Sequence, residues 1–164
     1  MPGVSNSSPL LYLATLGDLH FLPDLFGAIT IPTAVWRETV IDGRGKPGAV
    51  EIEQARGRWL SVEPVLAREL VDALTGADLE IGEAEAIALA VHLSLATVFM
   101  DDERGVQQAR VQGLTVVRTP ALFIAAKRRG WIDKVRPKLD QLRDAGFRLR
   151  ESHYTMILED AGEL

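Results

Sequence analysis

Asp101 and Asp102 stand side by side directly after the apolar run Val98-Phe99-Met100. A buried strand that opens onto an active-site edge has this form. At an effective dielectric near 20 and ~5 Å separation, two such carboxylates repel by on the order of 3 kcal/mol, so water or a cation must screen them. A solvated turn in which Asp102 caps the following helix is the simplest arrangement. Other oxygen-bearing residues make a cation worth weighing against it. Asn6-Ser7-Ser8 precedes Pro9; Ser8 as a cap and Pro9 in the first turn make a clean helix start, which leaves Asn6 and Ser7 unexplained. Glu83 and Glu85 lie in an otherwise apolar helical stretch, residues 82–91. Residues two apart point to different sides of a helix, so the two cannot share one spot. The helix dipole is sufficient reason for Glu83. Glu85, on the stripe with Ala88, Leu89 and His92, wants a cation or a donor. Glu38, after Val35-Trp36, reads by default as a surface glutamate and gains weight only from its neighbours.

Hydrophobic patterning supplies the elements that must position these groups. A very short strand ends near Asn6 and leads into a helix whose stripe is Leu10, Leu13, Ala14 and Leu16. Residues 17–25 form a second short helix, 29–31 a minimal strand, and Pro32 opens a helix over 33–40 that carries Glu38. Residues 42–48 are glycine-rich and basic, but Lys46 is followed by Pro47 where a phosphate-binding P-loop needs Ser or Thr, so this is a surface loop. Helices over 49–56, 66–74, 82–91, 104–112, 120–129, 135–145 and 154–159 alternate with strands over 59–65, 97–100 and 114–119. Such alternation implies a mainly parallel sheet covered on both faces, with ligands gathering at the carboxyl ends of the strands. Asn6 and Asp101-Asp102 both fall there.

Composition limits the chemistry. The 164 residues contain no cysteine, which excludes disulfides, thiolate nucleophiles and Cys-ligated zinc. With 47% hydrophobic and 25% charged residues, the chain suits one compact domain. The apolar run near the start is too short for a membrane span and lacks a basic segment before it, so a soluble, cytoplasmic protein is expected. Net charge is −5, yet residues 104–150 hold 12 Lys or Arg against 3 Asp or Glu. Arg104 and the Lys127-Arg128-Arg129 cluster, with Lys134, Arg136 and Lys138, are candidates for a phosphate path. The three histidines lack metal-ligand spacing, and Trp36, Trp59 and Trp131 are not interleaved with basic residues as a base-stacking platform would be. A phosphorelay receiver would need its paired aspartates after the first strand, where this chain has Asn-Ser-Ser.

The ordered series V-S-N-S-S-P-L, P-T-A-V-W-R-E-T-V, G-E-A-E-A-I-A-L-A, V-F-M-D-D-E-R-G, A-K-R-R-G-W-I and V-R-P-K-L-D-Q-L-R-D-A-G-F resembles the PIN-domain family, and more narrowly its bacterial and archaeal branch related to VapC toxins. The resemblance is strongest over residues 3–150. It implies a single PIN-like domain over 1–164, a three-layer α/β/α sandwich on a mainly parallel sheet of about five strands. It also implies an acidic cluster holding Mg²⁺ or Mn²⁺ for hydrolysis of RNA. Carried over by position, the first acidic residue falls on Asn6, the second on Glu38, the third on Glu85 or, as the lesser match, Glu83, and the fourth on Asp101 or Asp102. The hydroxyl after the first position matches Ser7 or Ser8. On this resemblance the chain is a metal-dependent endoribonuclease, the toxin of a pair restrained by a small antitoxin protein, and a homodimer. The Asn at the first position removes one charge while keeping a carbonyl oxygen, which leaves a non-catalytic RNA- or protein-binding PIN module as the alternative.

Overall fold

The computed structural model describes residues 2–164. Five short strands, β1 (Gly3–Ser5), β2 (Ile29–Pro32), β3 (Leu60–Glu63), β4 (Thr97–Phe99) and β5 (Thr115–Val117), form one sheet in the order β3-β2-β1-β4-β5. Every pairing is parallel. All five strands therefore deliver their carboxyl ends to the same edge, as the alternation of strands and helices implies. β1 is central, and its neighbour β4 approaches closely at its start. A Cβ on Gly3 would stand 2.8 Å from both the Phe99 ring and the Thr97 carbonyl oxygen, so only glycine fits there.

Side chains alternate between two cores, as the pleat requires. In β4, Phe99 enters one core and Val98 the other, and both are fully buried. The Phe99 core is covered by α1 (Ser7–Leu16), α2 (Phe21–Phe26), α8 (Thr119–Arg128), α9 (Arg136–Asp144) and α10 (Glu151–Asp160), with α3 (Thr33–Trp36) and α4 (Ala49–Ala55) at its margin. The Val98 core is covered by α5 (Arg68–Gly76), α6 (Ile81–His92) and α7 (Glu103–Val111). The result is the expected three-layer α/β/α sandwich. α6 is buried along its length from Gly82 to Ala90. Its alanines 84, 86, 88 and 90 let it lie close to both the sheet and its helical neighbours, which is why it is apolar on nearly every side. None of the helices among the described residues is long and apolar enough to cross a membrane.

Two local details depart from the expected elements and both bear on the cleft. α1 begins at Ser7 with Asn6 at its N-cap position and no side-chain cap, so Ser8 is not the cap that its place before Pro9 suggests. The helix after β2 does not stay regular either. Past Trp36 it widens into a π-helical turn, Arg37–Ile41, in which the Asp42 N–H donates to the Arg37 carbonyl oxygen at 2.7 Å. Glu38 sits in that wide turn, and such turns re-aim side chains, often at functional sites.

A candidate metal cleft at the carboxyl edge of the sheet

A cleft of about 610 Å³ opens at the carboxyl edge, and Asn6, Ser7, Ser8, Glu38, Glu83, Asp101 and Asp102 all line it. Backbone pairing fixes the two strand exits. The Asn6 N–H donates to the Phe99 carbonyl oxygen at 3.0 Å, and the Met100 N–H to the Val117 carbonyl oxygen at 3.1 Å. These bonds extend the sheet by one residue, so Asn6 lies beside Met100 and Asp101 follows at the same edge.

Glu38 and Asn6 meet over Gly82. A Cβ at residue 82 would stand 3.3 Å from Glu38 Oε2 and 3.4 Å from Asn6 Oδ1, so the two oxygens face the space that a side chain there would take. The Ser7 hydroxyl donates to Glu38 Oε2 at 2.7 Å and holds it in place. Asn6 is only 7% exposed, whereas Glu38 reaches solvent from its π turn.

Glu83 and Asp102 make the second pair. Glu83 is 5% exposed; its Oε1 accepts from the Glu80 N–H at 3.1 Å, which closes the first turn of α6, but its Oε2 is buried without a hydrogen-bond partner. Gly105 provides the room: a Cβ there would stand 2.9 Å from Glu83 Oε2 and 2.5 Å from Met100 Sδ. Burial, followed by the nearby Asp102 and Glu80 carboxylates, pushes the Glu83 carboxyl from 4.5 up to about 7 against the opposing pull of the Glu80 N–H. Asp102 Oδ1 also caps α7, accepting from the N–H groups of Arg104 and Gly105 at 3.1 and 3.4 Å. The capped turn and the charged cluster are therefore both present in one residue.

Asp101 has a different setting. Its Oδ1 accepts from the Thr119 N–H at 2.8 Å and its Oδ2 from the Thr119 hydroxyl at 2.6 Å, with the Ser8 hydroxyl at 3.4 Å. Burial outweighs these bonds and leaves its carboxyl above the ordinary carboxylate value. The Arg118 guanidinium donates to the Asp101 carbonyl oxygen at 2.6 Å and to Glu103 Oε2 at 3.1 Å. Asp101 thus ties the β4 exit to the start of α8 while presenting one face to the cleft.

Glu85 is the sequence candidate that the fold turns away from the cleft. One turn along α6 from Ile81, it accepts from the Ala34 N–H at 3.0 Å and from Arg68 Nη1 at 2.8 Å. The donor and cation that its stripe position demands are thus protein groups, one at the start of α3 and one on α5. It lines an adjoining groove with Arg37 and Arg68, on the other side of Glu38 and Gly82. The expected convergence of Asn6, Glu38, Glu85 and Asp101 therefore fails at Glu85, and Glu83 is the α6 glutamate that lines the cleft.

The basic candidates also lie elsewhere. α8 starts at the cleft with Thr119 and runs away from it, so Lys127, Arg128 and Arg129 sit at its far end, about 12–15 Å along the axis. Lys127 is engaged there with Glu163 at 3.0 Å and the Ala161 carbonyl oxygen at 2.6 Å, and Arg129 stacks over Trp131. Arg104 is exposed on α7 outside the cleft lining. The cationic side chain that does line the cleft is Arg148, next to Phe147, which meets Tyr12 edge to face at 5.1 Å. Sequence reasoning passed over Tyr12, Phe147, Arg148 and Thr119. Thr119 alone left a trace, as a hydroxyl residue before a helix-opening proline at a strand end.

The donors here are all oxygen: the Asn6 amide, the carboxylates of Glu38, Glu80, Glu83, Asp101 and Asp102, and serine hydroxyls. Among the described residues no three His, Cys, Asp or Glu side chains stand close enough to enclose a metal alone. Oxygen donors in incomplete number suit a hard cation that keeps several waters, not a closed structural site. Glu83 Oε2 receives no N–H or hydroxyl donor and lies beside Asp102, so a proton shared between the two carboxyls, or a cation, would neutralise this corner.

The DUF3368 family model, described as a PIN domain, matches residues 2–163. No curated protein matches the sequence. With that match running through nearly its whole length, over an all-parallel sheet with an acidic cleft at its carboxyl edge, the chain belongs to the PIN-domain family, which has a nuclease-type fold.

Proposed function

We propose that the cleft hydrolyses RNA phosphodiester bonds with the help of Mg²⁺ or Mn²⁺. The observation that carries this reading is the buried, unpartnered Glu83 Oε2 facing Asp102, across a cleft from Asn6 Oδ1 and Glu38 Oε2. One of these two pairs, with waters completing the shell, would hold the ion, since no three acidic side chains among the described residues stand close enough to enclose it. When bound, the cation supplies positive charge against the phosphate oxygens and lowers the pKa of a coordinated water.

The chain's own groups do the remaining work. Ser7 fixes the rotamer of Glu38 through its 2.7 Å hydrogen bond, so that this exposed carboxylate is preorganised. Glu83 carries a carboxyl raised to about 7, so holding a cation there would require it to release a proton and would be proton-linked. Asp101, held by Thr119, keeps the β4 exit rigid beneath Asp102. Arg148 offers the cleft a guanidinium for a phosphate that the acidic groups would otherwise repel. No covalent nucleophile is required.

In this reading the protein is a cytoplasmic toxin-type ribonuclease, restrained by a small antitoxin protein and acting as a homodimer; the likeness of its motif series to VapC-related chains supports that part. The decisive test is manganese-dependent cleavage of structured RNA by purified protein, beside Glu38→Ala and Glu83→Gln. Loss of at least a hundredfold in both variants is expected. Equal activity in either variant would remove that residue from the site. Because Asn6 supplies no charge, salt-sensitive RNA binding with no divalent-ion heat in calorimetry would instead identify a non-catalytic RNA-binding module.

A further inference from the structure

A second cavity, about 340 Å³, adjoins the acidic cleft between the start of α8 and the inner face of α10. Its floor is apolar: Val116, Ile124, Phe147 and Ile157 are half-buried there, and Met156 is 51% exposed. Three arginines, Arg110, Arg118 and Arg148, stand on its rim with two aspartates, Asp101 and Asp160. Arg110 and Arg148 are exposed and take part in none of the ion pairs found among the described residues. Phe147, Arg148 and Asp101 line both this cavity and the acidic cleft, so the two are joined through a shared wall.

We propose that this cavity receives one unpaired base of a single-stranded RNA whose neighbouring phosphate lies in the acidic cleft, with Phe147 beneath the base and Arg148 on the connecting phosphate. The inference rests on the nuclease reading above and adds to it a subsite for one base. An apolar floor with a half-buried aromatic ring matches the face of a base. Arg110 and Arg148, outside any ion pair among the described residues, match the phosphates on either side of it. A peptide without acidic side chains would leave Arg110 and Arg148 without anions. A paired base could not leave its duplex to enter without losing its stacking and pairing, so the cavity selects single strands.

The test uses a 5′-labelled RNA octamer of mixed sequence, with fluorescence anisotropy in EDTA so that cleavage does not intervene. Ala121 is exposed on the rim in the first turn of α8, so Ala121→Trp fills the cavity without entering the core. The full-length chain with Ala121→Trp is expected to bind the octamer about tenfold more weakly, the scale of one lost stacking contact. An abasic site at one position of the octamer is expected to cost the wild-type protein about tenfold and the Ala121→Trp protein nothing further. The same octamer in a duplex is expected to bind at least tenfold more weakly. Unchanged affinity in Ala121→Trp, or indifference to an abasic site at every position, overturns the base site while leaving RNA binding intact. Failure of the wild-type protein to bind any RNA at 50–100 mM salt overturns the nuclease reading and this inference together.

Discussion

Replacing Glu83 by glutamine separates the cost of the cleft's charge from the rest of the fold. The Glu83 carboxyl is raised from 4.5 to about 7 by burial and by Asp102, so the native state holds a proton that the unfolded chain has already released. Stability from this group is fully present below pH 4.5 and is lost as the pH rises through 7. At about 1.4 kcal/mol per pH unit the interval corresponds to about 3 kcal/mol, and water in the open cleft screens part of it, leaving on the order of 2 kcal/mol. Glutamine keeps the shape and the acceptor for the Glu80 N–H, and its amide can donate to Asp102. Urea unfolding in EDTA at pH 5, 6, 7 and 8 is the assay. The wild-type midpoint should fall across this range relative to the variant, with the two close at pH 5 and Glu83→Gln the more stable by about 2 kcal/mol at pH 8. Millimolar Mg²⁺ should flatten the wild-type curve and leave the variant nearly unmoved. Parallel curves for the two proteins from pH 5 to 8 would refute the charge-pair account of this corner.

Other corners yield separate expectations. Asn6→Asp restores a carboxylate beside Glu38 Oε2 and should raise Mn²⁺ affinity about tenfold at pH 8 in calorimetry, about 1.4 kcal/mol; weaker binding would show that Asn6 faces no cation. Asp101→Ala strips the fully buried Thr119 of acceptors for both its N–H and its hydroxyl and should cost about 3 kcal/mol in urea unfolding, with Asp101→Asn losing less. Glu85→Ala leaves the Ala34 N–H without its acceptor and should cost about 1–2 kcal/mol, mostly from that bond because Arg68 is 52% exposed. Its Mn²⁺ affinity should match wild type, and a large loss of metal binding would return Glu85 to the site.

The fold was legible because its signals are local. Strand–helix alternation, the Pro-opened helices and the apolar α6 each follow from a short window of residues, and the sheet followed from their order. The Asp102 cap was legible for the same reason, since its partners are two and three residues on. The choice between Glu83 and Glu85 was not local. Their spacing shows that only one can face a given spot, but which one depends on how α6 rolls against the sheet, and that is set by packing with α5 and α7. Asp101 was read as a free ligand because its main partner, Thr119, lies 18 residues away behind another strand. The π turn under Glu38 has no period of its own in the sequence, so a regular helix was the natural expectation there. The far placement of Lys127, Arg128 and Arg129 came from reading charge by segment, which records abundance along the chain but not the face on which each side chain emerges.

The parallel sheet also governs when the cleft comes into being. Ser7 and Glu38 are 31 positions apart, and Ser8 and Asp101 are 93. Parallel neighbours cannot meet through a hairpin, so each pairing waits on closure of a long loop through a crossover. Asn6, Glu38, Glu83 and Asp102 come together only when β1, β2 and β4 have docked and α6 has settled over them. A nascent or partly folded chain therefore has no cleft to offer, and regain of metal binding during refolding should track the slowest kinetic phase, not the early burst of helix formation.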